Sequence, residues 1–189
     1  MATLDIGACV QAGFDGFKKD PISHIIAVLL VCAISGLSSH ILSGPMLVGY
    51  MKMLKNAETT GKVEIADVFK GFDSFIAAFL AVFISSIIVV FGFMLCIIPG
   101  LLIMALPTVA AYLVADGETD GIKAMSAAFD AVKANLIPSC LCVLILGIIG
   151  SLGVLLCGVG ILVTLPIAFI GEYHMAKQMV GSDPLKLNA

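Results

Sequence analysis

The sequence predicts an all-α integral membrane protein. Six transmembrane helices form three parallel repeats, each a surface helix plus a helical hairpin, arranged about a pseudo-threefold axis. Three observations predict this. The 189 residues are 60% hydrophobic and 12% charged, with a mean hydropathy of +1.14; a soluble domain carries roughly 25% charged residues, and half of that leaves too little polar surface to face water. Residues 75–98 hold no charge in 24 positions and residues 136–171 none in 36, whereas about 18 apolar residues already cross a hydrocarbon core ~30 Å thick. Finally, the pattern Phe-Asp-x-Phe occurs at Phe14-Asp15-Gly16-Phe17 and Phe72-Asp73-Ser74-Phe75, with a near copy at Phe129-Asp130-Ala131-Val132, at intervals of 58 and 57 residues.

Anchored on these phenylalanines, residues 1–189 read as one membrane domain with repeats at 3–56, 62–116 and 120–179 and a polar tail at 180–189. Each repeat opens with a surface helix. Val10, Val68 and Met125 stand four residues before the anchor, and Phe17, Phe75 and Val132 three after it. Ile65 and Ile122 stand seven before, while Gly7 breaks the pattern with Ile6 beside it. Such spacing puts the apolar residues on one helical stripe. Asp15, Lys18, Asp67, Lys70, Lys123 and Lys133 lie between them, so each segment is an amphipathic helix suited to a membrane surface.

A long apolar segment comes next, then a break: Gly36-Leu37-Ser38-Ser39, Pro99-Gly100, and Cys157-Gly158-Val159-Gly160. Gly and Pro are the residues of tight reversals. The returning segment carries Pro45, Pro107 or Pro166, spaced 62 and 59 residues apart, with Tyr50 and Tyr112 five past their Pro and Tyr173 seven past. Two independent markers thus share a period near 60, the signature of an internal repeat. A two-pass unit returns to its starting side, so the repeats are parallel, unlike the inverted repeats of many secondary transporters. The returning segments, residues 41–51, 100–115 and 158–171, are short; eleven residues span only ~16 Å. Either Lys52 and Lys55 snorkel to lengthen the first, with local thinning of the bilayer, which is the preferred expectation, or the first hairpin stops short of the far surface.

Every charge falls in residues 1–20, 52–73, 116–133 or 172–186, and the hairpin tips hold none. Lysine-bearing loops stay cytoplasmic, which places both termini and both long loops inside. With no Arg and ten dispersed Lys, nucleic acid is not an expected partner. Cys32, Cys96, Cys140, Cys142 and Cys157 sit in apolar runs, where a thiol acts as a small hydrophobe. Cys140 and Cys142 would point ~200° apart on a helix and cannot share one local metal site.

Few residues suggest chemistry. Glu172, Tyr173 and His174 close the last span as the densest polar cluster; they fit either an interfacial belt or a small site for a headgroup or cation. Asp15, Asp73 and Asp130 recur with the repeat. They fit either local bonding to backbone and Lys groups or an acidic ring at a pore entrance. Gly147, Gly150 and Gly153 lie three apart on the fifth span, where small residues allow close helix approach, within the chain or between copies. His24, one turn into the first span, is expected near the headgroups, and His40 at a hairpin tip. Phosphate-binding glycine loops, zinc-protease and serine-hydrolase motifs are absent from the sequence. No catalytic residue, cofactor or metal is expected.

The segments Ala66-Asp67-Val68-Phe69-Lys70-Gly71-Phe72, Ile97-Ile98-Pro99-Gly100-Leu101, Ala124-Met125-Ser126-Ala127 and Gly158-Val159-Gly160-Ile161-Leu162-Val163-Thr164-Leu165-Pro166 resemble bacterial integral membrane families of unknown function. These are the YciC-like proteins and the membrane domain attached to some glycerophosphoryl diester phosphodiesterases. The resemblance implies a bacterial inner-membrane location and no catalytic residues, the phosphodiesterase domain being absent from these 189 residues. The expected role is a scaffold or accessory subunit, not an enzyme, whose partners are membrane lipids, further copies of itself or other membrane subunits. A channel or carrier for a lipid or small apolar solute along the pseudo-threefold groove is the other expectation.

Overall fold

The computed structural model describes residues 4–37, 41–155 and 160–181. All their regular elements are helical. Three helical stretches, Ile65–Leu95, Ile97–Asp116 and Leu136–Gly153, are long and apolar enough to cross a membrane.

Helix α1 (Ile6–Lys19) starts where the Asp5 carboxylate accepts the Ala8 N–H at 2.9 Å and ends with Lys18 and Lys19. An acidic cap and a basic last turn both complement the helix dipole. Asp20 separates it from α2 (Pro21–Leu37) and accepts from the Ser23 N–H at 3.2 Å. Helix α3 (Ser43–Thr60) is closed by Gly61 at φ 73°, whose N–H donates to the Ala57 carbonyl; only glycine adopts this left-handed cap without steric cost. A 3-10 helix (Ile65–Ser74) runs directly into α4 (Phe75–Leu95). Helices α5 (Ile97–Leu102), α6 (Leu106–Asp116), α7 (Gly121–Ala134), α8 (Leu136–Leu155) and α9 (Ile161–Val180) complete the order. The Asp120 carboxylate caps α7 through the Ile122 and Lys123 N–H groups at 2.9 and 3.3 Å.

The core lies among α3, α6 and α9. Nine of the eleven residues of α6 are buried, and Tyr50, Tyr112 and Tyr173, one from each of these helices, are all buried with Met46, Met51, Met53 and Leu106. Helices α2, α4 and α8 lie outside them and expose large apolar side chains such as Leu29, Phe91 and Ile148. The amphipathic segments brace the inner helices: α1 packs on α9, the 3-10 helix on α3, and α7 on α6. Small residues make these contacts. A side chain at Gly13 would strike the Ile167 backbone, one at Gly49 the Val68 backbone, and one at Gly71 the Pro45 carbonyl. On α7 the buried row is Ala124, Ala127, Ala128 and Ala131. Phe14 and Phe129 remain 40% exposed: the phenylalanine stripe flanks the contact, because only small residues let two backbones approach this closely.

Four expectations need correction. The middle amphipathic segment winds as a 3-10 helix; side chains three apart eclipse in that winding, which lines up Val68 and Gly71 against α3. The second reversal sits at Cys96, in extended conformation (φ −169°, ψ 150°), and not at Pro99-Gly100. Those two residues enter α5, where a first-turn Pro needs no N–H partner and Gly100 accommodates the Phe93 ring. Helix α3 does not stop near Met51 but continues through 18 residues to Thr60, about 27 Å. Its lysines, expected to reach for headgroups, bond within the protein: Lys52 Nζ donates to the Lys70 carbonyl (2.9 Å) and Ser74 Oγ (3.0 Å), and Lys55 pairs with Asp116. His40, residues 38–39 and 157–159 of the other two reversals, and most of the polar tail lie outside the described residues.

Candidate functional site: a charged cleft beside Glu58

Glu58 stands in the last turn of α3 and faces the end of α9. Its Oε2 accepts from Tyr173 Oη at 3.0 Å and from Lys177 Nζ at 2.6 Å, and His174 Nε2 lies 3.8 Å from Oε1. Tyr173 and Lys177 are four residues apart on one helix, so both reach the same partner. The Tyr173 ring also packs 5.5 Å from that of Tyr112, and Lys177 Nζ stands 6.0 Å from the Tyr173 ring centre.

The polar trio predicted at the end of α9 is divided by the helix itself, since consecutive residues point ~100° apart. Tyr173 and His174 turn to Glu58, whereas Glu172 turns to α6 and accepts from Thr108 Oγ1 at 3.0 Å. Residues 172–180 lie beyond the charge-free run, which ends at Gly171.

A cleft of about 690 Å³ opens beside Glu58, walled by α1, the start of α2, the end of α3 and α9. Asp15, Asp20, Lys19 and Lys62 give it charge of both signs, beside the His174 imidazole. His24 forms part of its wall but is only 2% exposed, with Nδ1 3.3 Å from Tyr50 Oη. It therefore lies inside the protein, not among headgroups as its position one turn into α2 suggested. Tyr50 supplies the polar partner that a buried imidazole needs.

Asp15, Asp73 and Asp130 are exposed, and their side chains make no hydrogen bond or ion pair among the described residues. Asp15 lines the cleft; Asp73 and Asp130 do not. The three glycines also separate. Gly150 meets Ala168 and Leu165 of α9, and Gly153 meets Ile161 and Thr164, whose hydroxyl donates to the Gly150 carbonyl at 2.8 Å. Gly147 is exposed, and among the described residues nothing lies within 4 Å of where its side chain would stand. Among the described residues, no three His, Cys, Asp or Glu side chains are placed to hold a metal ion. Sequence reasoning missed Glu58 and Lys177 entirely; the one available signal was Lys177 four residues past Tyr173. No protein-family model, curated protein or solved structure matches this chain.

Proposed function

We propose that the chain is a non-enzymatic multi-pass protein of the bacterial inner membrane, built by tandem triplication of a helical hairpin, that acts as a scaffold or accessory subunit by associating with itself or with another membrane complex. The six spans of this reading are α2, α3, α4, α5 with α6, α8 and α9, with both termini and the lysine-bearing loops in the cytoplasm. The packing order supports the triplication. The first amphipathic segment braces the third inner helix, the second braces the first, and the third braces the second, so the exchange closes on itself as a threefold ring requires. The segments whose sequence resembles the YciC-like families belong to the same reading.

One observation favours assembly most. Gly147 and Ser151, one turn apart on α8, are both exposed on its outward side. Small residues at that spacing are the usual means of close contact between helices in lipid, and among the described residues nothing lies within 4 Å of where a Gly147 side chain would stand. The buried tyrosines and methionines between α3, α6 and α9 favour a scaffold over a conduit. The test is size-exclusion with light scattering in mild detergent, with Gly147→Leu as the variant. The wild type is expected as an oligomer or with a co-purifying membrane subunit, and Gly147→Leu as a folded, separated monomer. A wild-type protein that is monomeric and alone would sink the reading.

A further inference from the structure

The cleft beside Glu58 contains more charge than its own contacts use. Glu58 is committed to Tyr173 and Lys177, and Asp20 to the Ser23 N–H. Asp15, Lys19 and Lys62 line the same cavity, yet their side chains make no hydrogen bond or ion pair among the described residues. Two uncommitted ammonium groups and one uncommitted carboxylate thus face a space of about 690 Å³, within the range of small-molecule sites. Opposite charges at separate points of one cavity fit a ligand that is itself zwitterionic.

A second feature places that ligand in a bilayer. Asp20 and His24, at the start of α2, form part of the cleft wall, and from there Ile22, Ile26 and Leu29 run along α2 at 71%, 40% and 46% exposure. Their spacing of four and three residues makes one apolar row that begins at the charged cleft. A molecule with a zwitterionic head in the cleft can lay hydrocarbon along this row.

We propose that the cleft binds the headgroup of a zwitterionic phospholipid bearing a primary amine, with Lys19 and Lys62 on the phosphate, Asp15 on the ammonium, and an acyl chain along Ile22, Ile26 and Leu29. This rests on the membrane reading above and is independent of self-association. Asp15, Lys19 and Lys62 are all exposed, so their substitution spares the core.

The test is lipid retention by the delipidated full-length protein in detergent, measured by native mass spectrometry after add-back of phosphatidylethanolamine, phosphatidylcholine or phosphatidylglycerol. Soluble phosphoethanolamine serves as a parallel arm. The expected result is retention of phosphatidylethanolamine about tenfold above the other two lipids, the scale of a lost charge-assisted hydrogen bond. Asp15→Asn should erase the preference over phosphatidylcholine, and Lys19→Gln with Lys62→Gln should abolish retention of both. Equal retention of all three lipids, or retention untouched by the double variant, overturns the proposal. So does soluble phosphoethanolamine binding as tightly as the lipid, which would assign the cleft to a free phosphate compound. If the protein partitions into buffer without detergent, the membrane reading itself has failed; if it stays in membranes but does not select, only this inference has.

Discussion

Glu58 and Tyr173, 115 residues apart in sequence, meet at 3.0 Å and join the end of α3 to the end of α9. Lys177 shares the same carboxylate oxygen. Glu58→Gln keeps an acceptor for Tyr173 and loses the charge that holds Lys177; Glu58→Ala loses both. The expected cost is under about 1 kcal/mol for Gln, because the Lys177 pair is solvent-exposed, and about 1–3 kcal/mol for Ala, which leaves the mostly buried Tyr173 hydroxyl without its partner. Thermal unfolding in detergent checks this. Equal losses for the two variants would mean that the Tyr173 bond contributes nothing.

The crossing of the 3-10 helix over α3 depends on Gly49 and Gly71. A methyl group at either position would overlap backbone atoms of the other element, which cannot yield as a flexible side chain can. Gly49→Ala and Gly71→Ala are each expected to destabilise by about 1–3 kcal/mol or more. Gly147→Ala, in open space on α8, should be neutral or stabilising by up to about 1 kcal/mol through helix propensity. Melting midpoints of the three variants side by side decide the matter: a stable Gly49→Ala protein would refute the crossing.

Parallel repeats require that the loops containing Lys62 and Lys123 face the same side of the membrane. A membrane-impermeant amine reagent applied to sealed vesicles of one orientation should label both lysines or neither, and permeabilisation should expose both together. Labelling of one alone would place an odd number of spans between residues 62 and 123 and end the three-repeat reading.

What was legible in the sequence is what depends on local pattern. Uncharged length marked the helical class and a chain with membrane-crossing helices, of which three are long and apolar enough among the described residues against the six expected, and Pro45, Pro107 and Pro166 fell on the inner helices α3, α6 and α9. What depends on which helix crosses which was not legible. Gly49 and Gly71 look like ordinary small residues until the 3-10 helix is laid across α3. The cluster 172–174 reads as one site along the chain and is divided by 100° steps in space. Glu58 sits in a polar stretch among other charges, and nothing local marks it as the partner of Tyr173. The lysines at 52 and 55 gave a misleading reading for a related reason: their partners Ser74 and Asp116 belong to other elements, and bonds inside the protein replaced the reach toward headgroups.

Glu172 and Thr108 tie α9 to α6: Thr108 Oγ1 donates to Glu172 Oε2 at 3.0 Å. Thr108 is buried, so the bond lies inside the protein. Thr108→Val keeps the shape and removes the donor, which leaves the carboxyl without this partner; the expected cost is about 1–3 kcal/mol. Glu172→Gln keeps an oxygen that accepts from Thr108 and is expected to cost less. Melting midpoints of the two variants in detergent decide the matter: a Thr108→Val protein as stable as the wild type would show that this bond contributes nothing to joining the two helices.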